Sequence, residues 1–213
     1  KKKINEENII TKNDSSFELF VNFIVKESLI LINDWFKFKS KKLTYMKGVE
    51  DKLDKSVYGH KEAKQQIKRL IGQWINGEMK GQCFGLSGPP GVGKTTICKN
   101  GLAKCLVDDN GNTRPFAFLA LGGASNGSVL EGHNYTYVGS TWGKIADILM
   151  ETKCMNPIIY IDELDKVSKT EHGKEIIGIL THLIDSTQND SFQDKYFSNI
   201  DLDLSKALFI FSY

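Results

Sequence analysis

The chain has 213 residues, 40% hydrophobic and 25% charged, enough for one full-sized core with an appendage. Its 28 basic and 26 acidic side chains leave a net charge of +2, too little for the broad basic field of a dedicated nucleic-acid binder, so partners have to be argued locally. The four cysteines, Cys83, Cys98, Cys105 and Cys154, show no CxxC pair or metal-ligand spacing, which argues against a disulfide or zinc scaffold and for a reduced compartment, the cytoplasm or an organelle matrix.

At the N-terminus, "KKKINEENIITK" has mixed charge and no cleavage-site pattern, unlike a signal or transit peptide. Phe17, Phe20, Val21, Ile24, Val25, Leu31, Ile32, Trp35 and Phe36 recur three and four apart, and Leu19, Phe23 and Ile30 widen the stripe, so an amphipathic helix is predicted. Asn22, Lys26, Glu27, Asn33 and Asp34 interrupt it, and it lacks the ~20 apolar residues needed to span a bilayer. Its broad apolar face is expected against other helices rather than on a membrane. Lysine-rich "KFKSKKLTYMKG" reads as a linker, making residues 1–50 a helical connection and residues 51–213 the main domain. Ala63, Ile67, Leu70, Ile71 and Trp74 predict a second helix ending near Gly77, with Lys61, Lys64, Lys68 and Arg69 solvated on its other face. The segment "DKSVYGHKEAKQQI" that leads into this helix could, on its residues alone, be an ordinary loop or part of a site.

From Gln82 onward short apolar runs alternate with segments of helical spacing. The runs "CFGLS", "PFAFLAL", "PIIYID" and "KALFIFS" read as strands covered on both faces, separated by helical "KTTICKNGLAKCL", "TWGKIADILMETK" and "GKEIIGILTHLID" and by a short polar "DDNGNTRP" loop. The expected class is α/β, a parallel sheet sandwiched by helices. After the first run, Gly88, Pro89, Pro90, Gly91, Val92, Gly93, Lys94 and Thr95 spell GxxxxGK[ST], with Thr96 next in the following helix. In that setting the backbone amides surround phosphate oxygens, Lys94 reaches the β- and γ-phosphates, and the Thr95 hydroxyl ligates magnesium. Downstream, "NPIIYIDE" brings Asp162 and Glu163 to the end of a buried strand. Asp162 would hold magnesium through water and Glu163 would deprotonate the attacking water, which favours hydrolysis over binding alone. No base-reading motif of a GTPase and no acceptor pocket of a kinase is evident.

Between the two motifs lies "GHNYTYVGSTWG", residues 132–143. Its aromatics read either as core or as an exposed working surface, and Trp142, at the start of a helix, is expected in the core. His133 has no partner at ligand spacing and is not expected to bind metal.

"GPPGVGKT" with "YIDELDKVS" resembles the AAA+ ATPases, P-loop NTPases, and the finer match is to the ATPase module of the Lon protease family. That match comprises Tyr58-Gly59 before a helix, Gly88–Thr95, Gly122-Gly123, Gly132–Gly139, Asn156–Lys166, Gln188-Asn189 with Phe192, Asp194 and Tyr196, and Asp203–Lys206. It covers roughly Leu53 to the C-terminus. The resemblance implies ATP and Mg2+ as cofactors, Tyr58 and Gly59 beside the adenine, Asp165 and Lys166 near a subunit boundary or simply solvated, and a homo-oligomeric ring, a hexamer. It further implies that Tyr137 and Val138 line the central pore and grip unfolded or damaged protein, which is threaded into a serine protease domain. It places the strand carrying Phe209 between the strand before Gly88 and the strand carrying Ile159.

The chain departs from the family at Asn134 and Tyr135, where basic residues are usual, and in the longer link "CLVDDNGNTRPFAFLAL". It is read as a piece of a longer protein, without the sensor residue, arginine finger, helical lid or protease domain. The competing reading is an ATP-driven remodeller of protein or nucleic-acid complexes without a peptidase. The uncharged aromatic loop favours protein substrates, since a nucleic-acid channel calls for Lys or Arg.

Overall fold

The computed structural model describes residues 7–75, 83–107, 111–124, 126–167 and 171–213; the expected helix end near Gly77 and part of the "DDNGNTRP" loop lie outside them. Contacts divide the chain into two units, residues 1–47 and 48–213.

The first unit is the greater part of helix α1 (Glu7–Ser56), whose apolar residues Phe17, Phe20, Ile24, Trp35 and Phe36 are all exposed. The lysine-rich stretch is helix rather than an irregular linker. Residues 38–56 hold no proline and a single glycine, Gly48, and Lys, Leu and Met are good helix formers, so nothing there breaks the hydrogen-bond ladder. Among the described residues no helix is long and apolar enough to cross a membrane.

The second unit is built on a four-stranded parallel sheet of β1 (Cys83–Leu86), β2 (Phe116–Ala120), β3 (Ile158–Asp162) and β6 (Leu208–Ser212), in the order β1-β6-β3-β2. The strand with Phe209 therefore separates β1 from β3, as the resemblance implies. A separate two-stranded antiparallel hairpin joins β4 (Phe192–Gln193) to β5 (Asp201–Leu202). β6 is buried along its length and β3 up to its last residue, Asp162; β1 and β2 are the outer strands of the described sheet and partly exposed, so the expectation that all four runs are covered on both faces is corrected. A continuous apolar run does not distinguish a central strand from an outer one.

Side chains alternate across the sheet. Ile159, Ile161, Phe209 and Phe211 join the core formed with α4 (Ser128–Glu131), α5 (Lys144–Thr152) and α6 (Glu171–Ile184). On the other side lie α2 (Lys61–Ile75), the last turns of α1, and α3, made of Lys94–Thr96, Ile97–Leu102 and Ala103–Cys105 in succession, the middle piece in π form. Gly101 of α3 lets Leu53 and Ser56 approach closely. Lys64 and Lys68 are not merely solvated, since they pair with Asp54 at 3.0 Å and Glu50 at 2.6 Å and so tie α2 to α1. At the lower edge of the sheet Arg114 donates to the carbonyls of Asn156 and Lys206 beneath the Trp74 ring, and burial brings its pKa down to about 10.

Candidate functional site

Because the four strands run parallel, their C-terminal ends meet on one edge, the usual place for a ligand crevice in an open α/β sheet. Three segments leave from that edge. The Gly88–Thr95 loop follows β1, Gly122-Gly123 follow β2, and Asp162-Glu163 close β3.

The glycine-rich loop is anchored at its start, where the ladder between β1 and β6 continues through Tyr213 N to Leu86 O and Gly88 N to Tyr213 O, each 3.2 Å. At its end Gly93 has φ 93°, open only to glycine without strain, and passes directly into α3, with Ile97 N donating to Gly93 O at 2.9 Å. Lys94 Nζ folds back over the loop and donates to the carbonyls of Gly88 and Pro89. Among the described residues this ammonium is held only by backbone carbonyls at the mouth of the loop, which fits an anion-binding role, since carbonyls orient the charge without neutralising it. Thr95 Oγ1 donates to Tyr160 Oη at 3.3 Å, and burial pushes the Tyr160 phenol above its usual range, so it stays neutral.

The Tyr58-Gly59 segment lies against this loop. Val57 would touch a Cβ on Gly93 at 3.6 Å, and the His60 ring hydrogen-bonds the Val92 carbonyl at 2.9 Å. Tyr58 itself is fully exposed. His60 was not singled out in the sequence, where a histidine beginning a helix carries no distinctive pattern.

Asp162 Oδ1 accepts from Glu163 N at 3.0 Å. Glu163 has a left-handed backbone, φ 59°, which turns its side chain away from the strand direction and over Gly122. The register explains the neighbour: Ala120 pairs with Asp162, Leu121 N donates to Asp162 O at 3.1 Å, and Gly122 comes next. A methyl group at Gly122 would overlap the Glu163 carboxyl. Lys166, three residues on, pairs with the same carboxyl, and that hydrogen bond holds the ammonium above its usual range. Glu163 thus rests between Gly122 and Lys166, an arrangement its spacing in the sequence does not announce.

Fit to a metal can be tested on the donor set. Among the described residues no group of three or more His, Cys, Asp or Glu could hold a metal ion. A divalent ion would therefore depend on oxygens such as those of Thr95 and Asp162 together with a nucleotide, the sparse protein ligation that suits magnesium.

The 132–143 loop lies between α4 and α5. Tyr137 is 66% exposed and Val138 fully so, and Tyr135 is exposed too, which excludes the core reading for these side chains. Two tight turns, Tyr137 N to Asn134 O and Ser140 N to Tyr137 O, each 3.1 Å, put Tyr137 at the tip. Trp142, expected in the core, is 42% exposed. Its ring stacks on Phe197 and meets Tyr196 edge-on, while its N–H reaches Asp147 at 3.1 Å, a half-buried setting that satisfies both ends of the indole.

Comparison with known proteins agrees with this geometry. The family model for "ATPase family associated with various cellular activities (AAA)" matches residues 84–211. The chain is 39% identical over 186 residues to a Lon protease homolog of Acanthamoeba polyphaga mimivirus, covering 85% of this chain and 18% of that protein. It is 40% identical over 167 residues to the Lon protease of Chlamydia trachomatis, 78% and 19% of the two chains, and 38% identical over 159 residues to a mitochondrial Lon protease homolog of Schizosaccharomyces pombe, 74% and 14%. The chain thus spans less than a fifth of the length of these relatives. With a family model covering more than half its length, a P-loop sequence between strand and helix, and an inserted strand between that loop and an acid pair, the chain belongs to the AAA family of ATPases.

Proposed function

We propose that this chain is the ATP-hydrolysing motor of a Lon-like ATP-dependent serine protease, and that it unfolds protein substrates and moves them toward a peptidase. The carrying observation is the strand order β1-β6-β3. One strand between the loop and the acid pair spaces them by about 9–10 Å, twice the interstrand distance, room for a phosphate and an attacking water between Lys94 and Glu163.

In this reading Gly88, Pro89, Pro90, Gly91, Val92, Gly93, Lys94, Thr95 and Thr96 hold the phosphates of ATP, with Tyr58 and Gly59 beside its base. Lys94 leaves the Gly88 carbonyl to meet the β- and γ-phosphates, and Thr95 and Asp162 would hold Mg2+. When bound, the ion offsets charge on the phosphate oxygens. Glu163 takes the proton of the attacking water once its carboxyl leaves Lys166. Tyr137 and Val138 grip the substrate at the pore of a homo-oligomeric ring, taken to be a hexamer, acting on unfolded or damaged proteins. A cytoplasmic or organelle-matrix setting suits cysteines that form no disulfide among the described residues, and some relatives are mitochondrial Lon protease homologs.

The experiment is Tyr137→Ala in the full-length protein. Degradation of a folded substrate should fall at least about tenfold and that of an unstructured peptide no more than about threefold, because a pulling step transmits force only through its contact with the chain, and an aromatic adds ~1 kcal/mol or more of contact over a methyl group. Equal loss on both substrates would remove the gripping role.

A further inference from the structure

We propose that Asp194 is the positioning residue of the aromatic loop: it fixes the loop's stem so that Tyr137 pulls against a rigid base. This rests on the gripping role proposed for Tyr137 above. Asp194 matched the family run only as a position, with no task attached.

The carboxyl of Asp194 is 0% exposed, and each of its oxygens serves a different segment. Oδ2 accepts from Gly143 N at 2.8 Å, at the last residue of the loop, and Oδ1 accepts from Tyr196 N at 2.8 Å. Burying such a group is costly unless its oxygens are met, and two amide donors meet them. Gly143 also precedes the first turn of α5, where a negative group is favoured by the helix dipole.

The opposite wall of the stem leaves no slack. A Cβ on Gly143 would overlap the Leu130 carbonyl, and one on Gly132 would lie 2.8 Å from Gly143 N, 2.9 Å from Thr141 O and 3.0 Å from Asp194 Oδ1. The two glycines that bracket the loop are therefore where its strands come together against the carboxyl. His133 N to Thr141 O, 3.0 Å, closes the stem across its width.

The strap that carries Asp194 is fastened at further points. Lys195 N donates to Glu131 O at 2.7 Å, Lys195 pairs with Glu131 at 3.0 Å, and Trp142 of the loop packs on Tyr196 and Phe197. Past the β4-β5 hairpin, Leu204 N donates to Asn189 O at 2.8 Å and the chain enters β6, the strand between the glycine-rich loop and the acid pair. The segment that holds the loop stem thus continues into the centre of the sheet. Among the described residues the tip, by contrast, is held only by its own two turns, free to meet varied chains while its base stays fixed.

The test uses full-length, assembled protein bearing Asp194→Asn. The amide keeps the shape but sets its own NH2 against one backbone N–H, so one donor loses its acceptor. Hydrogen exchange of the 132–143 amides should accelerate at least about tenfold while the sheet amides stay as in the parent, with the melting temperature within about 5 °C. Degradation of a folded substrate should drop about tenfold and that of an unstructured peptide less than about threefold, as in Tyr137→Ala. Trp142→Leu, which removes the ring packing and leaves the carboxyl, should shift loop exchange and the folded-to-unstructured ratio the same way to a lesser extent, and it carries the test should the Asp194 variant fail to assemble. Unchanged loop exchange overturns the proposal. So does acceleration throughout the domain with all activities falling together, which would make Asp194 a general core residue. Faster loop exchange with undiminished unfolding of folded substrates, and the same indifference in Tyr137→Ala, would keep the tether and remove the gripping role instead.

Discussion

The two glycine-rich loops, residues 88–95 and 132–143, look alike in composition and are built in opposite ways. The first is closed inward: its entry is laced into the β1-β6 ladder, its exit is the first turn of α3, and its one cation is folded onto its own carbonyls. Among the described residues the second is fixed only at its stem, and its aromatic tip stands in solvent. In the proposed function glycine serves backbone approach to a ligand in the first loop, whereas in the second it serves backbone approach to backbone. Glycine content alone therefore says little about a loop's task, whereas the place where its hydrogen bonds go says a great deal.

This contrast breaks most sharply at Lys94. Lys94→Ala should abolish ATP binding in equilibrium titration, a loss of at least about a hundredfold in affinity, because Lys94 is the one charged side chain on the loop. Glu163→Gln should bind ATP within about threefold of the parent and fail to hydrolyse it, since only the proton acceptor is lost. Equal loss of affinity in both variants would show that the loop and the acid pair do not divide the work.

A smaller effect is expected at Gly122. Gly122→Ala puts a methyl group where the Glu163 carboxyl rests, so the carboxyl must shift. Turnover should fall about tenfold with ATP affinity within about threefold. Parental kcat in this variant would mean that the resting place of Glu163 has no bearing on hydrolysis.

Much of the nucleotide edge was legible in the sequence. The runs around Ile159 and Phe209, the GxxxxGK[ST] pattern and the acid pair are local signals, each complete within a few residues, and the inserted position of β6 followed from the family resemblance. What the sequence does not announce depends on partners far along the chain. Trp142 reads as core because it is large and apolar, but its packing surface comes from Tyr196 and Phe197, more than fifty residues on. The role of Asp194 depends on Gly143, and the resting place of Glu163 depends on the β2-β3 register, neither of which has a periodic signature. The helix through residues 38–56 was hidden for a different reason. Its lysines suggest a solvated connection, and only the absence of proline and the low glycine content reveal that the ladder is uninterrupted.

A motor of the proposed kind should need nucleotide at the 88–95 loop to engage substrate at the 132–143 loop, and photo-cross-linking reads that out. Full-length protein carrying Glu163→Gln, with a photoreactive phenylalanine analogue in place of Tyr137, is illuminated with a labelled unfolded protein in the presence and absence of ATP. Cross-links from position 137 to the substrate should require ATP and disappear when Lys94→Ala is added. Cross-linking of equal yield without ATP, or none in its presence, would contradict this requirement.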